Sequence, residues 1–115
     1  MRVVIVPNDN AVFIDGFMYL VDLAELREQG VHAVQWYGEF GEVEYTTAWR
    51  PDEGRHHREP NKPISSLEEF QKYIDAWMEC RKRAEAVRGE REKELQLELE
   101  AQAKRLEPPK KDKRK

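Results

Sequence analysis

The chain has 115 residues, of which 37% are charged and 39% hydrophobic, with a formal net charge of −3. That length allows one small domain, and the composition supports a compact core only because the apolar residues are concentrated before position 80. No apolar run is long enough to span a bilayer, Met1-Arg2 leads into a strand pattern rather than a cleavable signal, and the single Cys80 rules out an internal disulfide or a cysteine zinc site.

Arg2-Val3-Val4-Ile5-Val6, ended by Pro7, predicts a short strand that is buried on both faces or central in its sheet. Asn8-Asp9-Asn10 is a cluster of residues that tolerate left-handed backbone, so it reads as a turn. Ala11 to Ile14 then forms a second strand. Asp15-Gly16 is the dipeptide favoured in two-residue hairpins, and Phe17-Met18-Tyr19-Leu20 begins a third strand, completing a meander. From Asp22 to Gly30 the period changes. Asp22 can cap, Leu23 and Leu26 share a face and Gly30 is a natural stop, which predicts one or two helical turns.

Val31 to Thr47 reads as the central hairpin, two runs of β-branched and aromatic residues around Gly38-Glu39-Phe40-Gly41. A side-chain period of two places His32, Val34 and Trp36 on one face, with His32 as a hydrogen-bonded core or rim residue. The count so far is five antiparallel strands. Residues 48–63 contain three prolines and a glycine and offer little to bury, so a long exposed loop is expected, with Trp49 folded back onto the domain. Cys80 is expected to be a buried or half-buried thiol within a helix.

From Ser65-Ser66 the period becomes 3.6. Either serine, with Glu68 or Glu69 three residues on, makes a capping box. Leu67, Phe70, Ile74, Trp77 and Met78 form a stripe that can lie across the sheet. The predicted fold class is therefore α+β, a small antiparallel sheet of about five strands packed by one long C-terminal helix that extends beyond the domain. After Cys80 the stripe fails and charges occupy nearly every face. Leu95, Leu99 and Leu106 keep a spacing compatible with helix pairing, but Arg88, Glu92 and Gln102 interrupt the seam. At about 1.5 Å per residue, positions 66–107 would run roughly 60 Å. The expected organisation is a domain over 1–80, a charged helical extension over 81–107 and a basic disordered tail over 108–115.

The charge is unevenly distributed. Residues 1–65 carry 6 Lys and Arg against 11 Asp and Glu, residues 66–107 carry 9 against 11, and residues 108–115 carry 5 against 1. An acidic body argues against a nucleic-acid groove on the folded part, and leaves Lys110, Lys111, Lys113, Arg114 and Lys115 as the candidates for phosphate contact. His56-His57 among Asp52, Glu53 and Glu59 is a weak metal motif, because adjacent histidines seldom ligate one ion and no helix fixes their spacing. Glu42 and Glu44 share a strand face, where charge blunts unwanted strand pairing. There is no glycine-rich phosphate loop and no nucleophile elbow. Neither an enzymatic activity nor a cofactor or metal is expected.

The runs Met-Arg-Val-Val-Ile-Val-Pro at Met1–Pro7, His-Ala-Val-Gln-Trp-Tyr-Gly at His32–Gly38, Gly-Glu-Val-Glu-Tyr at Gly41–Tyr45 and Pro-Ile-Ser-Ser-Leu-Glu-Glu-Phe at Pro63–Phe70, followed by Ile74-Asp-Ala-Trp77, carry a resemblance. Over roughly residues 1–78 the chain resembles the small tail fibre assembly or tail assembly proteins of tailed bacteriophages and prophages. Its Arg50–Lys62 segment is longer than that group leads one to expect, and the helix after Cys80 falls in variable territory. The resemblance implies a non-enzymatic protein that binds a phage tail or tail-fibre protein, as an assembly factor in the host cytoplasm or as a component of the virion tail. The residues expected to meet partners are Trp36, Tyr37, Phe40, Trp49, Leu95, Leu99 and Leu106, the leucines also serving a homo-oligomer through the C-terminal helix. The alternative is a nucleic-acid-associated or host-directed regulatory phage protein acting through the basic tail.

Overall fold

The computed structural model describes residues 1–106, and the chain divides after Arg81 into two compact units. In the first unit β1 (Val3–Val6) leads through a 3-10 turn, Pro7–Asp9, into β2 (Ala11–Ile14) and β3 (Phe17–Leu20). A short α1 (Ala24–Glu28) follows, then β4 (Val31–Trp36), β5 (Gly41–Tyr45), β6 (Ala48–Arg50), β7 (Arg55–His57) and β8 (Lys62–Ile64). A 3-10 turn at Glu68–Phe70 opens into α2, Gln71–Leu106. The fold is α+β. A six-stranded sheet has the order β3-β2-β1-β4-β5-β8, β6 and β7 form a separate two-stranded ribbon, and every pairing is antiparallel.

The local chemistry explains each turn. Asp15 and Gly16 both hold positive φ, 49° and 89°, which matches the twist of a two-residue hairpin between β2 and β3. Asn10 is left-handed at φ 49°, and its Oδ1 accepts hydrogen bonds from the Leu23 amide at 3.1 Å and from the Arg27 guanidinium. Arg27 also donates to the Pro7 carbonyl at 2.6 Å, so the β1–β2 turn and α1 are tied by one side chain. Ser66 Oγ accepts the Glu68 amide at 3.1 Å and satisfies an amide that the start of a helix leaves unpaired.

One face of the sheet is dry. Val3, Ile5, Val12, Ile14, Val34, Trp36 and Val43 meet Phe70, Tyr73, Ile74 and Trp77 of the C-terminal helical segment in one core cluster. Trp77 is 2% exposed, and its indole Nε1–H donates to the Phe17 carbonyl at 2.9 Å, so this core tryptophan has its polar atom satisfied. The ring also meets Tyr19 edge-on, centroids 5.4 Å apart. Cys80 is half-buried, with its Sγ 3.9 Å from the Leu20 carbonyl.

Four expectations are corrected. Residues 48–63 are not a structureless loop. They fold as the β6–β7 ribbon, turned at Gly54 with φ 61°, and as β8, which makes a sixth strand beside β5. His32 is exposed rather than on the apolar face, because β4 carries an extra residue between Val31, paired with Tyr45, and Ala33, paired with Glu44. Such a bulge resets which side chains face inward. On α2, Met78 is 48% exposed and Tyr73 takes the buried place, so the stripe follows Phe70, Tyr73, Ile74 and Trp77. Trp49 is 55% exposed and rests edge-on against its cross-strand neighbour His56, centroids 5.1 Å apart, instead of folding onto the sheet.

Candidate interaction surface

Register decides what the other face of the sheet presents. Met18, Phe13, Val4, Gln35, Glu42 and Pro63 are successive cross-strand partners from β3 to β8, and so form one row across that face. The row is apolar at the β3 end and polar beyond β1. Leu20, Ala11 and Val6 make a second apolar row beside it. Val4, Val6 and Phe13 are half-buried, while Met18 and Leu20 are 48% and 68% exposed. Phe17, also on β3 but on the helix side, is 57% exposed and lies under the Arg81 guanidinium, 4.8 Å from the ring centroid. β3 is the terminal strand of the sheet, and its four consecutive apolar residues carry no charge along the edge.

A polar network bounds this apolar region at β4. Arg2 donates through Nη1 to the carbonyls of Trp36 at 2.9 Å and Val3 at 3.1 Å, and through Nη2 to Gln35 Oε1 at 2.7 Å. Gln35 Nε2 in turn donates to Glu44 at 3.1 Å. The same guanidinium lies 4.4 Å from the centroid of the Tyr37 ring, which fixes that aromatic at the hairpin tip. Tyr37 and Phe40 flank the turn, their rings 5.3 Å apart, and are 46% and 62% exposed. The connection is closed by the Tyr37 amide donating to the Phe40 carbonyl at 2.8 Å. Gly41 is required there for a reason other than φ. A Cβ on it would lie 2.2 Å from the Gln35 carbonyl oxygen.

The β6–β7 ribbon is held by charge rather than by a core. Arg50 pairs with Glu53 at 3.6 Å and Glu59 at 3.0 Å and Arg55 with Glu53 at 3.2 Å, and His57 Nε2 is in hydrogen-bond contact with Glu59 Oε1 at 3.1 Å. Among the described residues no group of three or more His, Cys, Asp or Glu side chains is placed to hold a metal.

Where α1 meets the start of α2, Lys72 makes a close ion pair with Glu25, and the Tyr73 hydroxyl donates to the same carboxylate at 3.4 Å. The hydrogen bond from Lys72, with its charge, holds the Glu25 carboxyl below its usual range, and the same contact raises Lys72. Burial raises the Tyr73 hydroxyl. Both charged groups are solvated partners of each other, so the shallow groove they line together with Val21 and Ala76 is closed by a structural pair.

The residues singled out from sequence are dispersed. Trp36 is 8% exposed and belongs to the core, whereas Tyr37 and Phe40 stand at the hairpin tip and Trp49 on the ribbon. Leu95, Leu99 and Leu106 are exposed in the second unit. Lys110, Lys111, Lys113, Arg114 and Lys115 lie outside the described residues. The open rows of β1–β3 were missed, although the unbroken apolar run of Phe17 to Leu20 held the clue. A strand that does not alternate offers apolar groups to both faces. Among the described residues no helix is long and apolar enough to cross a membrane. No protein-family model, curated protein or solved structure matches the chain.

Proposed function

We propose that this is a non-enzymatic accessory protein that docks on another protein through the open apolar face and free edge of β1–β3. The observation that carries the reading is the contiguity of Met18, Phe13 and Val4 in one cross-strand row beside Leu20. Singly exposed apolar residues are ordinary on any surface, but adjacent ones on the terminal strand of a sheet offer a partner contiguous apolar area. Tyr37, stacked under Arg2, and Phe40 beside it supply aromatic contacts at the tip of the neighbouring hairpin. On the resemblance carried by the hairpin and helix-start motifs, the partner is a phage tail or tail-fibre protein.

The test is co-expression of the full chain with the tail and tail-fibre proteins of its phage, followed by purification of the complex. A stable complex is expected with one of them, lost in the double variant Met18→Lys/Leu20→Lys while the circular dichroism spectrum is retained. Binding that survives both lysines would end the assignment of this face, and a chain that ignores every tail component would end the reading itself. Mass spectrometry of purified particles then separates an assembly factor, absent from the virion, from a structural part of it.

A further inference from the structure

We infer that the helical segment Lys82–Leu106 associates with the same segment of a second copy of the chain, and that the two run antiparallel. Every residue of this segment except Gly89 is exposed, so its aliphatic side chains are covered by nothing in its own unit. Val87, Leu95, Leu99 and Leu106 are 60%, 54%, 59% and 82% exposed. At 100° per residue these four fall on one face with Ala84, and the interval Ala84 to Leu95 recurs as Leu95 to Leu106. An 11-residue recurrence keeps a stripe nearly parallel to the axis of a straight helix. The face is therefore continuous, and its remaining members are charged or polar.

The signs of those charges identify the occupant. Arg88 and Arg91 lie on this face in the first half of the segment, and Glu98 in the second, with Arg105 following near its end. The whole segment leans the same way, since Lys82–Arg91 carries 4 Lys and Arg against 2 Glu, and Glu92–Leu106 carries 3 against 4. Laid parallel and in register, two copies would bring Arg88 against Arg88, Arg91 against Arg91 and Glu98 against Glu98. Laid antiparallel about Lys93, Arg88 meets the second copy's Glu98, Val87 meets its Leu99, and the aliphatic stem of Arg91 covers its Leu95. One segment thus carries both halves of the match, which is the condition for an isologous two-fold contact. A foreign helix would have to reproduce this segregation, whereas a second copy has it already. The contact uses neither the sheet face nor the β3 edge and stands independently of the docking reading.

Sedimentation equilibrium of the full chain over a wide concentration range is the deciding measurement. The chain is expected to dimerise. Arg88→Glu alone and Glu98→Arg alone each turn two symmetry-related attractions into repulsions, and each is expected to weaken the dimer by about tenfold. The double variant Arg88→Glu/Glu98→Arg restores both pairs across an antiparallel contact and is expected to return the dissociation constant to within about threefold of the original. A parallel contact predicts near indifference to all three variants, because like still faces like. Both substitutions are on exposed helix positions, and unchanged hydrogen exchange of the sheet amides verifies that the first unit stays folded. A chain that remains monomeric throughout, a dimer insensitive to the single reversals, or a double variant that fails to recover would each overturn the proposal.

Discussion

The two units of this chain solve the problem of holding a helix in opposite ways. In the first, the 3-10 turn and the start of α2 bury Phe70, Tyr73, Ile74 and Trp77 against the sheet, and every buried hydrophobic residue of the described chain lies at or before Trp77. In the second, from Lys82 to Leu106, the same element continues with its side chains in solvent. Helix formation is cooperative but weak without a packed face. The first unit is therefore stabilised by area removed from water, the second by propensity and i to i+4 polar contacts such as Gln96 with Glu100 at 3.3 Å. One unbroken helix thus draws on two different sources of free energy along its length.

The largest way to break that contrast is Trp77→Ala. Loss of the indole and of its bond to the Phe17 carbonyl should cost about 3–5 kcal/mol, enough to unfold a domain of this size, read as the urea midpoint. Trp36→Ala should fall in the same range, and a small effect would mean that its ring contributes little to the core. Gly41→Ala comes next. With a carbonyl oxygen 2.2 Å from the added Cβ, the β4–β5 hairpin must shift, and a loss of about 1–3 kcal/mol is expected from the first unit, with the helix beyond Arg81 unaffected.

Gly89→Ala probes the other unit, in the opposite direction. A Cβ there meets nothing within 4 Å, so the substitution should stabilise the helix by about 1 kcal/mol and raise helical circular dichroism. Sheet amides whose exchange slowed equally would show that the units unfold together. The smallest effect is at Glu25. Its carboxyl sits below the ordinary value of 4.5 in the folded state, so it contributes stability that is present above that value and lost as the pH falls through the lower folded one. Glu25→Gln should flatten only this acid part of the stability profile, and added salt should shrink the difference, because the pair is exposed.

How much of this could be read from sequence depended on whether an element owes its form to burial. The strands β1 to β5 and the Asp15-Gly16 turn follow from apolar runs and a dipeptide with one favoured geometry. The core stripe follows from period, with Tyr73 and Met78 interchanged because a phenol and a thioether are both acceptable at the boundary of the apolar arc, whereas the expected capping box gives way to a 3-10 turn with Leu67 at its cap. The ribbon escaped because Ala48-Trp49-Arg50 and Arg55-His56-His57 are solvated on both faces and bury no alternating pattern. β8 escaped because Pro63 argues against a strand, and it is accommodated only at the outer edge, where a missing amide breaks no ladder. His32 depended on a one-residue bulge, which leaves no trace in periodicity. Of the candidate interaction surface, Tyr37 and Phe40 were legible as aromatics beside a glycine turn. Trp36 was not separable from them, since the same residue types fill cores and interfaces.

The two ends of the sheet are unlike, and this limits what it can become. At β8 a three-residue strand containing Pro63 terminates the ladder, while at β3 an uncharged strand leaves it open. In the language of polymer chemistry the sheet is a monofunctional unit. A growing chain needs two reactive ends, and a molecule with one can only cap or be capped. Strand addition at β3 therefore lengthens a given sheet once, whether the added strand comes from a partner or from another copy, and the ladder goes no further.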